Sequence, residues 1–353
     1  MQNAVLQRWH CIKAMICFWR TEPDSLSAVT SNGGASRPDK ESTMTTHGIH
    51  HVTAIAGPAR RSRDFYVDTL GLRMVKRTVN FDDPTTYHFY YGDEAGSPGT
   101  ILTHFPWEHV AAGRLGVGET EETVLRVPEG SLGYWTQRFL EKGVPHENPV
   151  RRFGQTVLTF KDPDGMRLAL IALPGIESEP AWGKGSVPAE HAIRGMHGVR
   201  LLLEDDAATG AVLTDVLGFE KGEREGSLVR FQAPGNPVGG IVDIHVVPGF
   251  LPARMGGGSV HHVAFRAADD AEQAAMVARL AQHHRIAATE QKNRDYFRSV
   301  YFRAPGGTIF EIATDIPGFA IDEAPEALGT GLQLPRSVQG RRAELEALLP
   351  AID

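Results

Sequence analysis

Two stretches of the chain recur at fixed distances, and this repetition limits the fold more than any other feature. Gly195-Met-His-Gly-Val-Arg-Leu-Leu202 and Leu213-Thr-Asp-Val-Leu-Gly-Phe219 echo Gly48-Ile-His-His-Val-Thr53 and Tyr66-Val-Asp-Thr-Leu-Gly-Leu72, each 147 positions further on. Leu158-Thr-Phe-Lys-Asp-Pro-Asp-Gly165 is likewise echoed by Val300-Tyr-Phe-Arg-Ala-Pro-Gly-Gly307, 142 positions later. A repeat of this size is one supersecondary unit used several times.

The first copy shows what the unit is. Residues 48–55 alternate partly as a strand does. Residues 60–70 carry Phe65, Tyr66 and Leu70 at helical spacing and stop at Gly71, a natural helix-ending glycine. Strands are expected at 73–81, 86–91 and 100–105, separated by turns at Asp82-Asp83-Pro84 and Gly92-Asp93. The chain therefore reads as α+β, with four tandem βαβββ modules near 47–106, 117–173, 192–248 and 258–315. They divide into an N-terminal domain (44–173), a linker rich in Pro, Gly and Glu (174–191) and a C-terminal domain (192–316), each domain expected to be a pair of curved sheets around a cup. Residues 317–353 form a C-terminal tail. Residues 1–43 read as a disordered or targeting extension. Their first 20 residues are basic and free of acid, but the apolar part is too short and interrupted for a signal peptide, which favours a tail or an upstream start ahead of Met44.

Histidines and one carboxylate mark the chemistry. His50-His51 and His261-His262 each sit in a predicted strand, and Glu311 lies in Thr-Ile-Phe-Glu-Ile-Ala, where burying a lone carboxylate is costly unless something positive meets it. A metal would meet it: two imidazoles and a carboxylate form the ligand set of non-haem Fe(II) oxygenases. The repeat supports this, because the counterparts of His51 and Glu311 are Gly198 and Ala169, and the His261-His262 pair falls near Glu121-Glu122. Modules two and three keep the scaffold without the ligands. Since neighbouring strand residues point to opposite faces, only one histidine of each pair is expected to face the cup. Taking His51 and His262 as ligands puts Thr53 on the same face and leaves His50 and His261 flanking. Arg294 and Tyr301 lie between the later pair and Glu311, where they would counter an oxyanion and move a proton; otherwise they are a surface arginine and a core tyrosine. His88, His104, His109, His146, His191, His197 and His245 read as structural or solvated, and His283-His284 as a helix C-terminus.

Composition removes other classes. A net charge of -7 without a basic cluster argues against nucleic acid, and no apolar run is long enough to span a bilayer. The two cysteines, Cys11 and Cys17, both precede the repeats. The folded body then has neither a disulfide framework nor a thiolate metal site, which fits a cytoplasmic protein. There is no GxGxxG fingerprint, P-loop or GxSxG elbow.

The tandem modules with Gly-Ile-His-His-Val-Thr, Asp-Thr-Leu-Gly-Leu and Gly-Thr-Ile-Phe-Glu-Ile resemble the vicinal oxygen chelate superfamily, which includes glyoxalase I, bleomycin-resistance proteins and extradiol dioxygenases. More narrowly, Asp68-Thr-Leu-Gly-Leu-Arg-Met-Val-Lys-Arg-Thr-Val-Asn-Phe81 is similar to the ring-cleaving dioxygenases that open para-hydroquinones. The resemblance covers about residues 47–350, including Leu332-Gln-Leu-Pro335. It implies Fe(II), with Mn(II) as the other suitable ion, bound by His51, His262 and Glu311, and supporting roles for His50, Thr53, His261, Arg294 and Tyr301. It further implies a small aromatic diol and O2 as substrates, and it is compatible with a homo-oligomer. The alternatives are a glyoxalase-like metal-dependent isomerase or lyase, a catechol extradiol dioxygenase, and a non-catalytic module that sequesters an aromatic molecule.

Overall fold

The computed structural model describes residues 47–352; the expectation for residues 1–43 falls outside them. All four βαβββ modules are present. Module one contains β1 (Ile49–Ala56), α1 (Ala59–Arg63, continued by a wider π turn at Asp64–Thr69), β2 (Arg73–Val79), β3 (Tyr87–Gly92) and β4 (Ile101–Pro106). Module two contains β5 (Glu119–Pro128), α2 (Leu132–Lys142), β6 (Val150–Arg152), β7 (Gln155–Lys161) and β8 (Arg167–Leu173). Module three contains β9 (Met196–Leu203), α3 (Ala207–Asp215), β10 (Glu220–Glu225), β11 (Leu228–Gln232) and β12 (Ile241–Val246). Module four contains β13 (Val260–Ala267), α4 (Asp270–His284), β14 (Lys292–Asn293), β15 (Arg298–Arg303) and β16 (Ile309–Thr314). The π turn explains why the 60–70 segment ends as expected without being one regular helix: Leu70 N–H donates to Phe65 and Leu72 N–H to Tyr66, and Gly71 then takes a positive φ of 72°. At the start of α4, the Asp269 carboxylate accepts from the Ala271 and Glu272 N–H groups, which would otherwise lack partners.

The strands form two eight-stranded sheets, ordered β14-β15-β16-β13-β1-β4-β3-β2 and β10-β11-β12-β9-β5-β8-β7-β6. One sheet joins modules one and four; the other joins modules two and three. The sheets thus do not follow the halves 44–173 and 192–316, since each half contributes one module to each sheet. The chain leaves the first sheet after β4, builds the second, and returns for β13. The outgoing and returning connections bond to each other: Arg114 and Arg254 exchange N–H···O bonds of 2.8 and 2.9 Å, and Gly257 N–H donates to Ala111 at 2.8 Å. Gly256 is required at this crossing, because a Cβ there would overlap the Ala111 carbonyl and the Gly113 nitrogen.

In both sheets the modules meet through their first strands, antiparallel, with two bulges at equivalent places. Ile49 pairs with Phe265 but His51 with Ala264, so His50 is extra; Thr53 pairs with His262 but Ala54 with Val260, so His261 is extra. In the second sheet the extra residues are Glu121 and His197. A bulge adds one residue to one strand and breaks the alternation of faces. One contiguous core joins helix residues such as Tyr66, Trp135, Phe139, Leu213 and Leu280 to strand residues such as Phe160, Phe231 and Phe265.

The C-terminal segment is not a loose tail. Gln333 N–H donates to the Arg77 carbonyl at 2.8 Å, Leu334, Leu345, Leu349 and Ile352 join the core, and the fully buried Lys76 ammonium meets Asp322 and, at 2.6 Å, Glu323. Among the described residues no helix is long and apolar enough to cross a membrane.

The second sheet has a built-in reason to lack a ligand at position 198. A Cβ there would fall inside the Ile241 carbonyl oxygen of the neighbouring strand β12. Gly198→Ala should therefore lower stability by about 2 kcal/mol or more. Gly133→Ala, on an open face of α2, should be neutral or stabilise by up to about 1 kcal/mol. Equal melting temperatures for the two variants would contradict the steric argument.

Candidate metal centre

Three adjacent strands bring the ligand candidates together. β13 lies between β1 and β16, so His51 on β1 pairs with Ala264 on β13, and Ala264 pairs in turn with Glu311 on β16. His51, His262 and Glu311 are all buried, and each offers a ligand atom within 4.8 Å of the other two. His262 Nε2 is 2.9 Å and His51 Nε2 3.5 Å from the same Glu311 oxygen, Oε2. Neither carboxylate oxygen has a well-aligned hydrogen-bond donor, although Glu311 has no solvent exposure. Burial alone would raise its pKa, but the imidazoles of His51 and His262 outweigh this and hold it well below the usual carboxylate range. An ionised, unsatisfied carboxylate facing two imidazole nitrogens fits a divalent cation.

The tautomers agree. His51 Nδ1 is 2.9 Å from His50 Nδ1, and His262 Nδ1 is 2.7 Å from His261 Nδ1. His50, kept neutral by burial, also bonds the Thr314 backbone, so its one N–H goes there and its Nδ1 accepts. With its proton on Nδ1, His51 would offer its Nε2 lone pair to a cation held between it and Glu311. Such an outer hydrogen bond fixes the ring and tautomer of a metal-ligating histidine. Strict alternation does not hold here: the bulges at His50 and His261 keep the two rings of each pair beside one another, with centroids 5.1 and 5.0 Å apart. His261 is also neutral, its pKa pushed down by burial to about 3.

The triad opens onto a small, partly enclosed cavity. Arg294 and Tyr301 both line it. Tyr301 pairs with Glu311 across β15 and β16, packs edge-on against the His262 ring at 5.5 Å, and stays protonated because burial and Glu311 both raise its pKa. The Arg294 guanidinium lies 5.5 Å from the Phe81 ring centre and 5.6 Å from that of Tyr301, and donates to Asp82 at 3.0 Å. Thr53 bonds Thr103 at 2.8 Å, and Thr103 bonds His88 at 2.9 Å, so Thr53 connects with the cavity wall through those two side chains.

Sequence reasoning missed the rest of the wall: Asn80, Phe81, Asp82, His88, Tyr90, Phe105 and Phe297. For His88 a signal was present. The strand registers match it to Leu228 in module three, so it too is a histidine that the repeat does not keep. The other histidines read as structural behave so where contacts are seen. His104 bonds Ser62, His245 pairs with Glu121, His191 stacks on Tyr134, and His284, the last residue of α4, meets Asp215, the last of α3.

The second sheet answers the same problem differently. At the place of His262 it has Glu122, whose carboxylate is met by guanidinium groups. Arg152, the counterpart of Arg294, pairs with Glu122, and Arg200 meets Glu122 at 3.0 Å and Glu121 at 2.9 Å.

Known proteins resemble this one across nearly all of the described chain. The Glyoxalase/Bleomycin resistance protein/Dioxygenase superfamily matches residues 48–170. MhqO of Bacillus subtilis (strain 168), provisionally named a ring-cleaving dioxygenase, is 41% identical over 306 residues, covering 86% of this chain and 96% of its own. The chlorohydroquinone/hydroquinone 1,2-dioxygenase of Sphingobium indicum is 31% identical over 303 residues, covering 84% and 94%. A crystal structure of a dioxygenase, also provisionally named, from Bacillus subtilis subsp. subtilis str. 168 superposes with a TM-score of 0.82 at 39% identity, covering 88% of this chain and 98% of that one.

Two predictions follow from the geometry. Glu311→Ala should abolish stoichiometric divalent-metal binding by calorimetry. It should also remove the metal-dependent stabilisation of the wild type, about 4 kcal/mol at a thousandfold excess over Kd, while the metal-free fold persists. His50→Leu and His261→Leu should each weaken metal affinity about 10- to 100-fold; unchanged affinity in both would rule out the orienting role.

Proposed function

The chain belongs to the Glyoxalase/Bleomycin resistance protein/Dioxygenase superfamily, and we propose that within it this protein is a ring-cleaving dioxygenase for hydroquinone-type aromatic diols, using Fe(II) held by His51, His262 and Glu311. The observation that carries the reading is the buried Glu311 carboxylate, unsatisfied and flanked by two imidazole Nε2 atoms at the floor of an aromatic-lined cavity. The identities to MhqO and to the chlorohydroquinone/hydroquinone 1,2-dioxygenase support the substrate class. When bound, Fe(II) supplies a redox-active centre with positions left open by a three-residue ligand set.

The side chains around it have separate tasks. His50 and His261 hold the two ligand imidazoles in one orientation and tautomer. Phe105 and Phe297, which contact His261 and His51 with ring centroids at 5.9 and 5.0 Å, form apolar walls for an aromatic ring and keep water from it. Tyr301, protonated and beside Glu311, is placed to hold or return a proton at the diol oxygen nearest the triad. Arg294, tied to Tyr301 and Asp82, offers positive charge for an oxygen that becomes anionic as the ring opens. No fourth His, Cys, Asp or Glu joins the triad among the described residues, which weighs against a six-coordinate isomerase or lyase centre with a second carboxylate.

The test is O2 uptake by protein loaded anaerobically with Fe(II), offered hydroquinone, chlorohydroquinone, methylhydroquinone or catechol. Rapid uptake with the para-diols and little with catechol is expected, with a parallel Mn(II) loading to settle the ion. Preference for catechol would move the enzyme to the ordinary extradiol class, and no uptake by metal-loaded protein would defeat the proposal. Tyr301→Phe should lower kcat about 10²- to 10⁴-fold with little change in metal content.

A further inference from the structure

The cavity wall holds two buried polar residues with no task in the scheme above: His88 and Tyr90, on β3. Both His88 nitrogens are engaged. Nδ1 lies 2.9 Å from the Tyr90 hydroxyl and Nε2 lies 2.9 Å from Thr103 Oγ1, which continues to Thr53 at 2.8 Å. A neutral imidazole has one N–H and one lone pair, so it must donate to one hydroxyl and accept from the other. The line Tyr90–His88–Thr103–Thr53 therefore has one sense at a time.

Tyr90 stands at the cavity end of that line. Its oxygen bonds no protein group other than His88 among the described residues, although the residue has no exposed surface. Its ring is fixed among Tyr296, Phe297 and Phe319, with centroids 6.1, 6.3 and 5.1 Å away, so the hydroxyl cannot turn elsewhere for a partner. If Tyr90 donates to His88, its lone pairs are left without a donor; if it accepts from His88, its proton is free. In either sense a hydroxyl can complete it and a C–H cannot. Tyr301 and Arg294 are already engaged with each other, and Arg294 with Asp82. A para-diol carries its second oxygen across the ring from the first, and that oxygen needs a partner of its own.

We propose that Tyr90, oriented by His88, hydrogen-bonds the second hydroxyl of the diol substrate and makes the site discriminate a para-diol from a monophenol. Tyr90 is then a specificity residue and His88 a positioning residue. This inference rests on the hydroquinone reading and adds the means of telling the substrate's two ends apart.

The experiment is anaerobic calorimetry of Fe(II)-loaded protein with hydroquinone and with phenol, for wild type, Tyr90→Phe and His88→Leu. The wild type should bind hydroquinone at least about 10-fold more tightly than phenol. Tyr90→Phe should bring the ratio close to one by weakening hydroquinone alone, and His88→Leu should reduce it in part. Phenol affinity and iron content should not change in Tyr90→Phe, which removes a single oxygen atom. An unaltered ratio in Tyr90→Phe, or a parallel loss for both ligands, would overturn the inference, the second outcome marking a merely structural tyrosine. Failure of the wild type to consume O2 with hydroquinone, with the binding ratio intact, would instead count against the proposed reaction.

Discussion

The antiparallel pairing of β1 with β13, with one bulge on each strand, is the constraint on which the rest of the site depends. A regular ladder would send His50 and His51 to opposite faces. Each bulge inserts one residue without a partner, and here those residues are His50 and His261. The bulges keep each extra histidine against its ligand neighbour and set Thr53 opposite His262. The neighbouring strands take their places from this seam. Parallel β16 sets Glu311 opposite Ala264, parallel β4 sets Thr103 opposite Thr53, and β15 sets Tyr301 opposite Glu311.

The second sheet shows what the scaffold does without a metal. It has the same strand order and the same two bulges, so the backbone device belongs to the fold and not to the chemistry. Its acidic residues are met by Arg152 and Arg200, which bring their own positive charge. In the first sheet Glu311 has no arginine or lysine on it. Leaving an ionised carboxylate so buried costs several kcal/mol unless a cation joins it, and that cost is the energetic signature of the site.

Closure of the cavity involves parts far apart in sequence. Phe297 and Tyr90 pack on Phe319 of the C-terminal segment, which Lys76 anchors through Asp322 and Glu323. A fully buried ammonium is tolerated because two carboxylates meet it. The C-terminal segment therefore backs the aromatic wall, although its composition reads only as a tail.

Much of this was legible in the sequence because it is local or repeated. The four βαβββ modules follow from period and turn chemistry, and the triad follows from histidines and a carboxylate that the repeat does not keep. Alternation along a strand separates His51 from His50 on paper, but whether a strand carries a bulge depends on how its partner pairs, and β13 lies about two hundred residues from β1. The same non-local pairing decided that modules one and four share a sheet, and that His88 and Tyr90 face the cavity while His104 turns to Ser62. Sequence by itself determined which residues could bind a metal, since ligand chemistry belongs to the side chain. Only the tertiary structure decided which of them meet and what lines the space before them, because strand register and close packing join residues that the chain keeps far apart.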